Sequence, residues 1–429
     1  MILGAGLAGL AAAMRLGDHP VLLVEKEDTV GGKARSHRRA GFTFDVTGHW
    51  LAFRENTLHD LISGLLGREN LVEIERRAAV WTRGGMVPYP FQANIHGLPW
   101  LIRIRCLAGF VWARLRRRRG TPEAEGFENF VVERFGRGMA THFFIPYYTK
   151  FWGFSLDELR AEWLSGYFPM PTTAQVLGGA LGFRQRRVGY NARFTYPTEG
   201  GIDTLPQAML ATCAGRDGFA VRLSTAAEEI DLTRRRIRLG GSPEWHGWRE
   251  LVSTLPLPDL LDRIVGLPPH VAAARRDLRS IPLRYLNIGL RRPSPLREHW
   301  VYTPEAHIPF YRMGVYTNAV PAMAPPGCAG LWVEMADRDG PLDEAAVVKG
   351  LMEIGAIAAS DDVLFVEQHD IEHAYVVFDD ARQAAVDTIV SWLAAHGVHT
   401  CGRYGSWTYG SMGDAILDGF AAAARVAAS

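Results

Sequence analysis

The sequence has few cysteines, and none of them lies near another. The four stand far apart in 429 residues, at Cys106, Cys213, Cys328 and Cys401. No Cys-x-x-Cys pair and no cluster of cysteine with histidine occurs, so we expect neither a metal site nor a disulfide scaffold. Reduced thiols fit a cytoplasmic protein, because disulfides persist mainly in oxidising compartments.

The chain also lacks an excess of charge and a long apolar run. Lys and Arg total 47 against 46 for Asp and Glu, a net charge of +1. This balance gives a nucleic-acid partner no general electrostatic support. No uninterrupted apolar stretch is long enough to span a bilayer. The chain enters a strand, loop and helix at once, so we expect no signal peptide and a cytoplasmic location.

The composition is that of an ordinary globular protein, at a length that exceeds one usual core. Hydrophobic residues make up 48% and charged residues 22% of the chain. A single hydrophobic core stops growing at about 250–300 residues, and longer chains divide into domains. We therefore expect two domains.

The first residues, MILGAGLAG, have the spacing G-x-G-x-x-G at Gly4, Gly6 and Gly9. Ile2 and Leu3 predict the end of a buried strand, and LAGLAAAMRL has the apolar spacing of a helix. In a dinucleotide site these glycines permit a tight turn, close approach to a pyrophosphate, and packing of the helix on the strand. The alternative is a βαβ turn of structural use only. The strand before the motif and the helix after it favour the nucleotide.

The next segment supplies an acid and two cations at a suitable spacing. PVLLV predicts a second buried strand that ends at Glu25, whose carboxylate can accept hydrogen bonds from the adenosine ribose hydroxyls. Gly31 and Gly32 precede Lys33 and Arg35, so a flexible backbone and two cations come near the same phosphates. The alternative for Lys33 and Arg35 is a solvated basic loop.

These motifs resemble the pattern E-x-x-x-x-x-G-G-[RK]-x-x-S of a large flavoprotein superfamily. It includes amine oxidases, protoporphyrinogen oxidases, phytoene desaturases and UDP-galactopyranose mutases. The resemblance implies non-covalent FAD and an α/β fold, with a Rossmann-like, GR2-type FAD-binding domain and an inserted α+β substrate domain. We expect the FAD-binding domain in residues 1–75, 196–265 and 376–429, and the substrate domain in residues 76–195 and 266–375.

The C-terminal loop, CGRYGSWTYGSMGDAILDG, resembles the segment that closes the flavin end of the site in this superfamily. The resemblance implies that Gly402 lets the chain pass close to the flavin. It also implies that backbone N–H groups at Ser411, Met412 and Gly413 point at the pyrimidine carbonyl. A helix N-terminus there would stabilise negative charge on reduced flavin. The alternative is an ordinary turn and closing helix.

Candidate substrate residues come from segments that resemble UDP-galactopyranose mutases. The resemblance implies that aromatic side chains contact uridine, that arginines bind the diphosphate, and that nearby tyrosines assist. Each residue could instead have a purely structural role. An aromatic ring could fill the core, and a cation could be solvated or paired with an acid. The predicted substrate-binding residues are Tyr147, Lys150, Trp152, Tyr311, Arg312, Arg403 and Tyr409.

The chain departs from the mutases at one position that bears on the substrate. The mutases carry an arginine shortly after the Y-T-x-K-x-W-G segment and before a proline. Here the sequence is WLSGYFPMP, in which Gly166 and Tyr167 precede Phe168 and Pro169. The resemblance is therefore strong for FAD and weak for the substrate.

Two functions compete. The leading interpretation is an FAD-dependent oxidoreductase in which an organic substrate passes a hydride to flavin N5, and His49 polarises the reacting group. The alternative is a non-redox mutase of a nucleotide sugar, with Arg312 and Arg403 on the diphosphate. A flavin-containing binding protein without turnover is a third class, which the closely fitted flavin end disfavours.

One further segment mixes apolar residues with a basic end. It is LPWLIRIRCLAGFVWARLRRRRG, residues 98–120. One interpretation is contact with an anionic membrane surface. The other, which we favour, is an amphipathic helix packed on the core, with solvated arginines at its C-terminal end, where the helix dipole favours them.

Overall fold

The computed structural model describes residues 1–17, 19–53, 55–117, 126–164, 167–185, 188–189, 191–336 and 340–428. Two features of the sequence fall partly outside these ranges. They are the last residues of the predicted basic helix, 118–120, and the pair 165–166 that includes Gly166.

The strands follow one another in chain order from the first residues to the C-terminal loop. They are β1 (Ile2–Leu3), β2 (Val21–Val24), β3 (Ser36–Arg39), β4 (Phe42–Asp45), β5 (Leu71–Glu75), β6 (Ala78–Thr82), β7 (Gly85–Pro88), β8 (Arg193–Pro197), β9 (Phe219–Arg222), β10 (Ala227–Asp231), β11 (Arg236–Leu239), β12 (Trp245–Gly247), β13 (Leu251–Ser253), β14 (Ser280–Leu290), β15 (Trp300–Tyr302), β16 (Arg312–Val315), β17 (Ala329–Met335), β18 (Val363–Val376) and β19 (Val398–Thr400).

The helices separate these strands and cover the sheets. They are α1 (Leu7–Leu16), α2 (Asn56–Leu66), α3 (Trp100–Arg117), α4 (Phe127–Met139), α5 (Ile145–Trp152), α6 (Thr173–Ala180), α7 (Thr204–Cys213), α8 (Leu257–Leu261), α9 (Pro269–Arg276), α10 (Glu344–Glu353), α11 (Arg382–Ala395), α12 (Gly402–Gly405) and α13 (Met412–Ala428).

A parallel sheet of order β19–β13–β1–β2–β9 contains the first strand at its centre. Helix α1 connects β1 to β2, and its alanine-rich face packs against α13. The two helices approach closely at Gly419, where an added Cβ would lie 2.1 Å from the carbonyl oxygen of Ala8. This β1–α1–β2 unit within a parallel sheet is the Rossmann-like arrangement that the sequence predicts.

A second, mostly antiparallel sheet has the order β18–β14–β17–β16–β15–β6–β7. Its only parallel neighbours among the described strands are β15 and β6. The predicted strands YLNIGL and GLWVEM are parts of β14 and β17, and the predicted helix GFENFVVERFG is α4. Mixed structure of this kind confirms the predicted α/β fold class with an α+β region.

The two sheets draw their strands from different parts of the chain. Every strand of the parallel sheet falls within the ranges predicted for the FAD-binding domain. The strands of the second sheet fall within 76–195 and 266–375, apart from Val376 at the end of β18. A ladder between β5 and β8 crosses the proposed boundaries at 75 and 195. The domain boundaries themselves stay a prediction.

Candidate active site

An elongated cavity opens at the carboxyl ends of β1, β2 and β13, where parallel sheets generally bind their ligands. Six separate stretches of the chain contribute to its wall. They are the N-terminal turn, the segment after β2, the loop after β4 that holds His49, the loop before β10, the segment after β13, and the C-terminal loop. Lining residues from these stretches include Gly4, Gly6, Glu25, Gly31, Gly32, Lys33, Arg35, His49, Thr225, Ala227, Thr254, Asp259, Gly402, Arg403, Ser411 and Met412.

A side chain added at each of the three glycines of the first turn would meet different surroundings. Gly4 has a φ of +92°, and an added Cβ would lie 2.2 Å from Oγ1 of Thr254. At Gly9 an added Cβ would lie 2.0 Å from the carbonyl oxygen of Gly4, so the fold itself requires this glycine. Gly6 is different, because its added Cβ would meet only the Cα of Gly32, at 3.8 Å, on the cavity side. The fold leaves space at Gly6 that a ligand can use.

The segment after β2 folds back over this turn. Gly31 and Gly32 have φ values of +118° and +59°, and the Gly31 N–H donates to the carbonyl oxygen of Ala5 at 2.8 Å. This brings Lys33 and Arg35 to the cavity wall. Arg35 pairs with Glu27 at 3.2 Å, yet its buried Nε has no partner among the described residues. The unpartnered donor fits an anionic ligand.

Glu25 follows β2 directly and is buried at the cavity wall. Its Oε2 accepts the N–H of Ala5 at 2.7 Å, and its Oε1 accepts the N–H of Glu27 at 3.1 Å. These bonds fix the carboxylate against the first turn. Each oxygen retains a further lone pair, so the group can also accept a bond from a ligand hydroxyl.

His49 borders the cavity on the side of the C-terminal loop. Burial above all, with a smaller effect of the positive charges of Arg403 and Arg312, lowers its pKa to about 4. The imidazole is therefore neutral near pH 7 and can donate or accept one hydrogen bond there. A polarising role for His49 stays a prediction.

The C-terminal loop is anchored to α13 by two acidic side chains. Asp418 accepts the Gly402 N–H and the Ser406 hydroxyl, each at 2.7 Å. Asp414 accepts the Ser411 N–H at 2.7 Å, and its own N–H donates to the Ser411 hydroxyl oxygen at 3.2 Å. This reciprocal pair is a helix cap, and it shows that α13 begins at Met412.

This cap bears on the predicted flavin contacts. Because Asp414 already accepts the Ser411 N–H, that group is engaged within the protein. The N–H groups of Met412 and Gly413 lie in the first turn of α13, where a helix supplies no acceptor of its own. Ser411 and Met412 line the cavity, whereas an added Cβ at Gly413 would lie 3.1 Å from Leu58. The predicted flavin contacts at these three residues remain untested.

Arg403 lies in the wall between this cavity and a neighbouring one that Tyr409 also lines. Its guanidinium stacks on the rings of Tyr409 at 4.7 Å, Tyr375 at 5.1 Å and Tyr404 at 5.5 Å. Its Nη2 donates to the carbonyl oxygen of Ala374 at 2.9 Å. No carboxylate of a described residue lies within 4 Å of it, and its buried Nε has no partner there. Arg403 is therefore a partly buried cation with spare donor capacity.

Arg312 is arranged differently, because a carboxylate already engages it. Its Nε donates to Oε2 of Glu334 at 2.8 Å, and its Nη2 donates to Oε1 at 2.7 Å. Glu334 lies opposite it on β17 and is fully buried. A two-point ion pair fixes the guanidinium and offsets its charge. Sequence analysis missed Glu334, although a lone acid within the apolar strand GLWVEM was a signal.

Most of the remaining predicted substrate residues are in contact with other residues of the protein. Tyr147 packs edge-on against Tyr311 at 6.2 Å, and Trp152 packs against Trp163 in the core. Lys150 donates to the carbonyl oxygens of Thr303 and Glu305, at 2.9 Å each, and burial lowers its pKa to about 7. The first cavity does not reach Tyr147, Lys150, Trp152, Tyr311 or Arg312. Their contact with substrate stays a prediction.

The cavity as a whole fits an extended dinucleotide cofactor. Gly6 leaves space for a pyrophosphate, and the Nε atoms of Arg35 and Arg403 are buried donors without partners among the described residues. Glu25 and the loop at Thr225–Ala227 line one part, and His49 and Met412 line another. The residues present therefore fit FAD, and the contacts predicted for each end of the cofactor stay a prediction.

Known structures share this fold over nearly the whole chain. A crystal structure of reduced UDP-galactopyranose mutase is 26% identical, with a TM-score of 0.90 over 100% of this chain and 95% of that one. A protein assigned as a protoporphyrinogen oxidase of Exiguobacterium sp. 255-15 is 16% identical, with a TM-score of 0.75 over 99% and 97% of the two chains. Cyclohexylamine oxidase of Brevibacterium oxydans IH-35A is 18% identical, with a TM-score of 0.69 over 100% and 98%.

The family described as flavin containing amine oxidoreductase matches residues 7–427, nearly the whole chain. The match begins at Leu7, just after β1, Gly4 and Gly6, and it includes the other strands of both sheets and the other stretches that line the cavity. It confirms the family and the cofactor that the glycine motifs and the C-terminal loop predict. The chain belongs to the flavin containing amine oxidoreductase family, and its cofactor is FAD.

Proposed function

We propose that the protein rearranges a nucleotide-linked sugar without net oxidation, as a mutase-like flavoenzyme. The observation that carries this proposal is Arg403, a partly buried cation at the cavity wall whose buried Nε has no hydrogen-bond partner among the described residues. A diphosphate is the natural occupant for such a group, because Arg binds phosphate oxygens through two parallel bonds. The similarity to UDP-galactopyranose mutase, at a TM-score of 0.90, supports the same substrate class.

In this proposal each group of the chain has a defined task. Arg403 holds the diphosphate, and the rings of Tyr409, Tyr375 and Tyr404 keep its guanidinium in position. The neutral His49 accepts or donates a hydrogen bond at the sugar. Bound FAD supplies either an acceptor for hydride or, when reduced, a nucleophile for an anomeric carbon.

A second candidate is an FAD-dependent oxidoreductase of an organic substrate that carries no diphosphate. The observation in its favour is the Arg312–Glu334 pair, since a cation that is already offset attracts an anion weakly. The segment that ends at Tyr167 also has no arginine before Pro169, unlike the mutases. Amine oxidases are among the structural relatives, and hydride transfer is the reaction expected in that case.

Titration of the holoenzyme with UDP and UDP-galactose tests the proposal. We expect both ligands to perturb the flavin absorbance, and the dithionite-reduced enzyme to interconvert ring forms of the sugar. Arg403→Ala should weaken UDP binding by roughly 2–3 kcal/mol, because a charge-assisted fork is lost. The matched control is Arg236→Ala, which removes an arginine stacked on Trp245 away from the cavity.

The absence of UDP binding would contradict the proposal. If UDP gives neither a spectral change nor heat at roughly millimolar concentration, the affinity is too low for a built diphosphate site. Anaerobic bleaching of the oxidised flavin by an amine or another organic donor would then favour the oxidoreductase.

A further inference from the structure

Helix α3 presents a continuous apolar face to solvent. Leu101, Ile104, Ala108, Val111 and Leu115 recur every three or four residues and therefore lie along one side of the helix. Six of its large apolar side chains are between 43% and 62% exposed. They are Trp100, Leu101, Ile104, Val111, Trp112 and Leu115.

The opposite side of α3 is the one that packs on the protein. Cys106, Phe110 and Ala113 are buried against α4. The two backbones come very close there, since an added Cβ at Gly138 would lie 2.6 Å from the carbonyl oxygen of Arg105. The helix is thus held firmly by its narrow buried face, and its apolar outer face is not needed for the core. The packing agrees with the favoured expectation of an amphipathic helix on the core, and the exposed apolar face is a feature which that expectation did not include.

A neighbouring loop extends the apolar surface. Helix α6 packs beside the N-terminal part of α3, and Leu181 and Phe183 just after it are 74% and 69% exposed. The loop approaches the segment before α3 closely, because an added Cβ at Gly182 would lie 3.2 Å from the His96 ring. We call the exposed face of α3 together with Leu181 and Phe183 the α3 surface.

The segment of the chain that forms α3 carries charge of one sign. Residues 76–122 contain no Asp or Glu, and seven arginines lie between Trp100 and Arg119. Arg105 and Arg116 are exposed, and the Arg116 guanidinium stacks on Trp112 at 4.6 Å. Arginine at the rim of an apolar, tryptophan-containing helix face is the pattern of helices that lie in the plane of an anionic membrane.

We propose that the α3 surface docks the protein on an anionic phospholipid membrane. Trp100, Trp112 and the apolar side chains between them enter the boundary of headgroups and acyl chains, and the arginines pair with lipid phosphates. The contact is peripheral, since none of the described helices is apolar over enough length to cross a bilayer. A second copy of the chain is a poor occupant, because two arginine-rich faces without acids would repel each other.

Co-sedimentation of the FAD-loaded protein with vesicles tests this inference. We compare phosphatidylcholine vesicles with vesicles that also hold about 30 mol % phosphatidylglycerol. The protein should sediment with the anionic vesicles only, and salt near about 0.5 M should release it. Replacing Arg105 and Arg116 together by Gln should lower binding roughly thirtyfold. Trp112→Ser combined with Leu115→Gln should lower it at least about tenfold.

The matched control combines Val265→Ser with Arg276→Gln, a similarly exposed valine and an exposed arginine outside the α3 surface. It should bind vesicles like the wild type. FAD content and thermal unfolding establish that all variants are folded. The inference is overturned by equal binding to both vesicle types, by no binding to either, or by α3 variants that bind normally. A wild-type dimer that the Trp112 and Leu115 substitutions dissociate, without vesicle binding, would assign the surface to a second copy.

Discussion

The glycine-rich turn at the cavity is built mostly from backbone and glycine, whereas the region around Arg312 and Arg403 is built from charged and aromatic side chains. In the first, Gly4, Gly9 and Gly31 are required by local geometry. In the second, Arg312 meets Glu334, and Arg403 meets tyrosines from two stretches of the chain. A backbone-built site depends on neighbours in sequence, and a side-chain-built site depends on partners that only folding brings together.

The largest effect should follow from breaking the Arg312–Glu334 pair. Glu334→Gln leaves a cation beside a fully buried position without its counter-charge, so we expect about 3–5 kcal/mol less free energy of unfolding. Denaturant unfolding measures this loss. Glu73→Gln is the control, because the exposed Glu73–Arg193 pair, at 2.7 Å, should contribute less than about 1 kcal/mol. Equal losses in the two variants would show that the pair does not stabilise this part of the site.

The second effect concerns packing of α1 on the first strand. Gly9→Ala puts a methyl group 2.0 Å from the carbonyl oxygen of Gly4, so α1 must move, at about 2–3 kcal/mol of stability. Gly64→Ala is the helical control, since nothing lies within 4 Å of its added Cβ. It should stabilise α2 slightly, because alanine is the better helix former. A Gly9→Ala protein with unchanged thermal unfolding would contradict the close contact.

Gly6→Ala, three residues before Gly9, should weaken the binding of FAD and leave the fold intact. Gly6 has a φ of −70°, which alanine adopts freely, and its added Cβ faces the cavity at 3.8 Å from Gly32. We expect FAD affinity to fall at least about tenfold, or about 1.4 kcal/mol, with normal stability of the FAD-free protein. The ratio of absorbance at the flavin and protein bands gives the FAD content. Normal FAD content would show that the pyrophosphate does not pass over Gly6.

At neutral pH the smallest effect is that of His49, whose protonation lowers stability only in acid. Its folded-state pKa is lowered to about 4, below the ordinary value near 6.5. Its contribution to stability is therefore present above about pH 6.5 and is lost as pH falls towards 4, because the unfolded chain binds the proton first. His49→Asn should abolish this loss, which amounts to about 1.4 kcal/mol for each pH unit between the two pKa values. His270→Asn, at an exposed position on α9, is the control. An identical acid dependence in both variants would mean that His49 is solvated.

The positions of Lys150 and Arg312 illustrate what sequence patterns leave open. Both stand in motifs that resemble substrate-binding segments, yet Lys150 donates to two backbone carbonyls and Arg312 pairs with an acid twenty-two positions away. The apolar face of α3 is a similar case, because its periodicity predicts an amphipathic helix but not which side meets the core. These outcomes depend on contacts between distant segments, which spacing along the chain does not encode.

The sequence by itself determined the parallel β1–α1–β2 unit, the turn at Gly4, Gly6 and Gly9, the acid at Glu25 and the FAD-binding family, because each follows from backbone conformation or strand order within a short stretch. Only the tertiary structure decided that Ser411 and Asp414 cap α13, that Glu334 holds Arg312, and that Arg403 stands without a described carboxylate within 4 Å. The physical reason is that charge compensation and burial are properties of the surroundings in space. A side chain's charge is fixed by its residue type, but its partner is fixed by the fold.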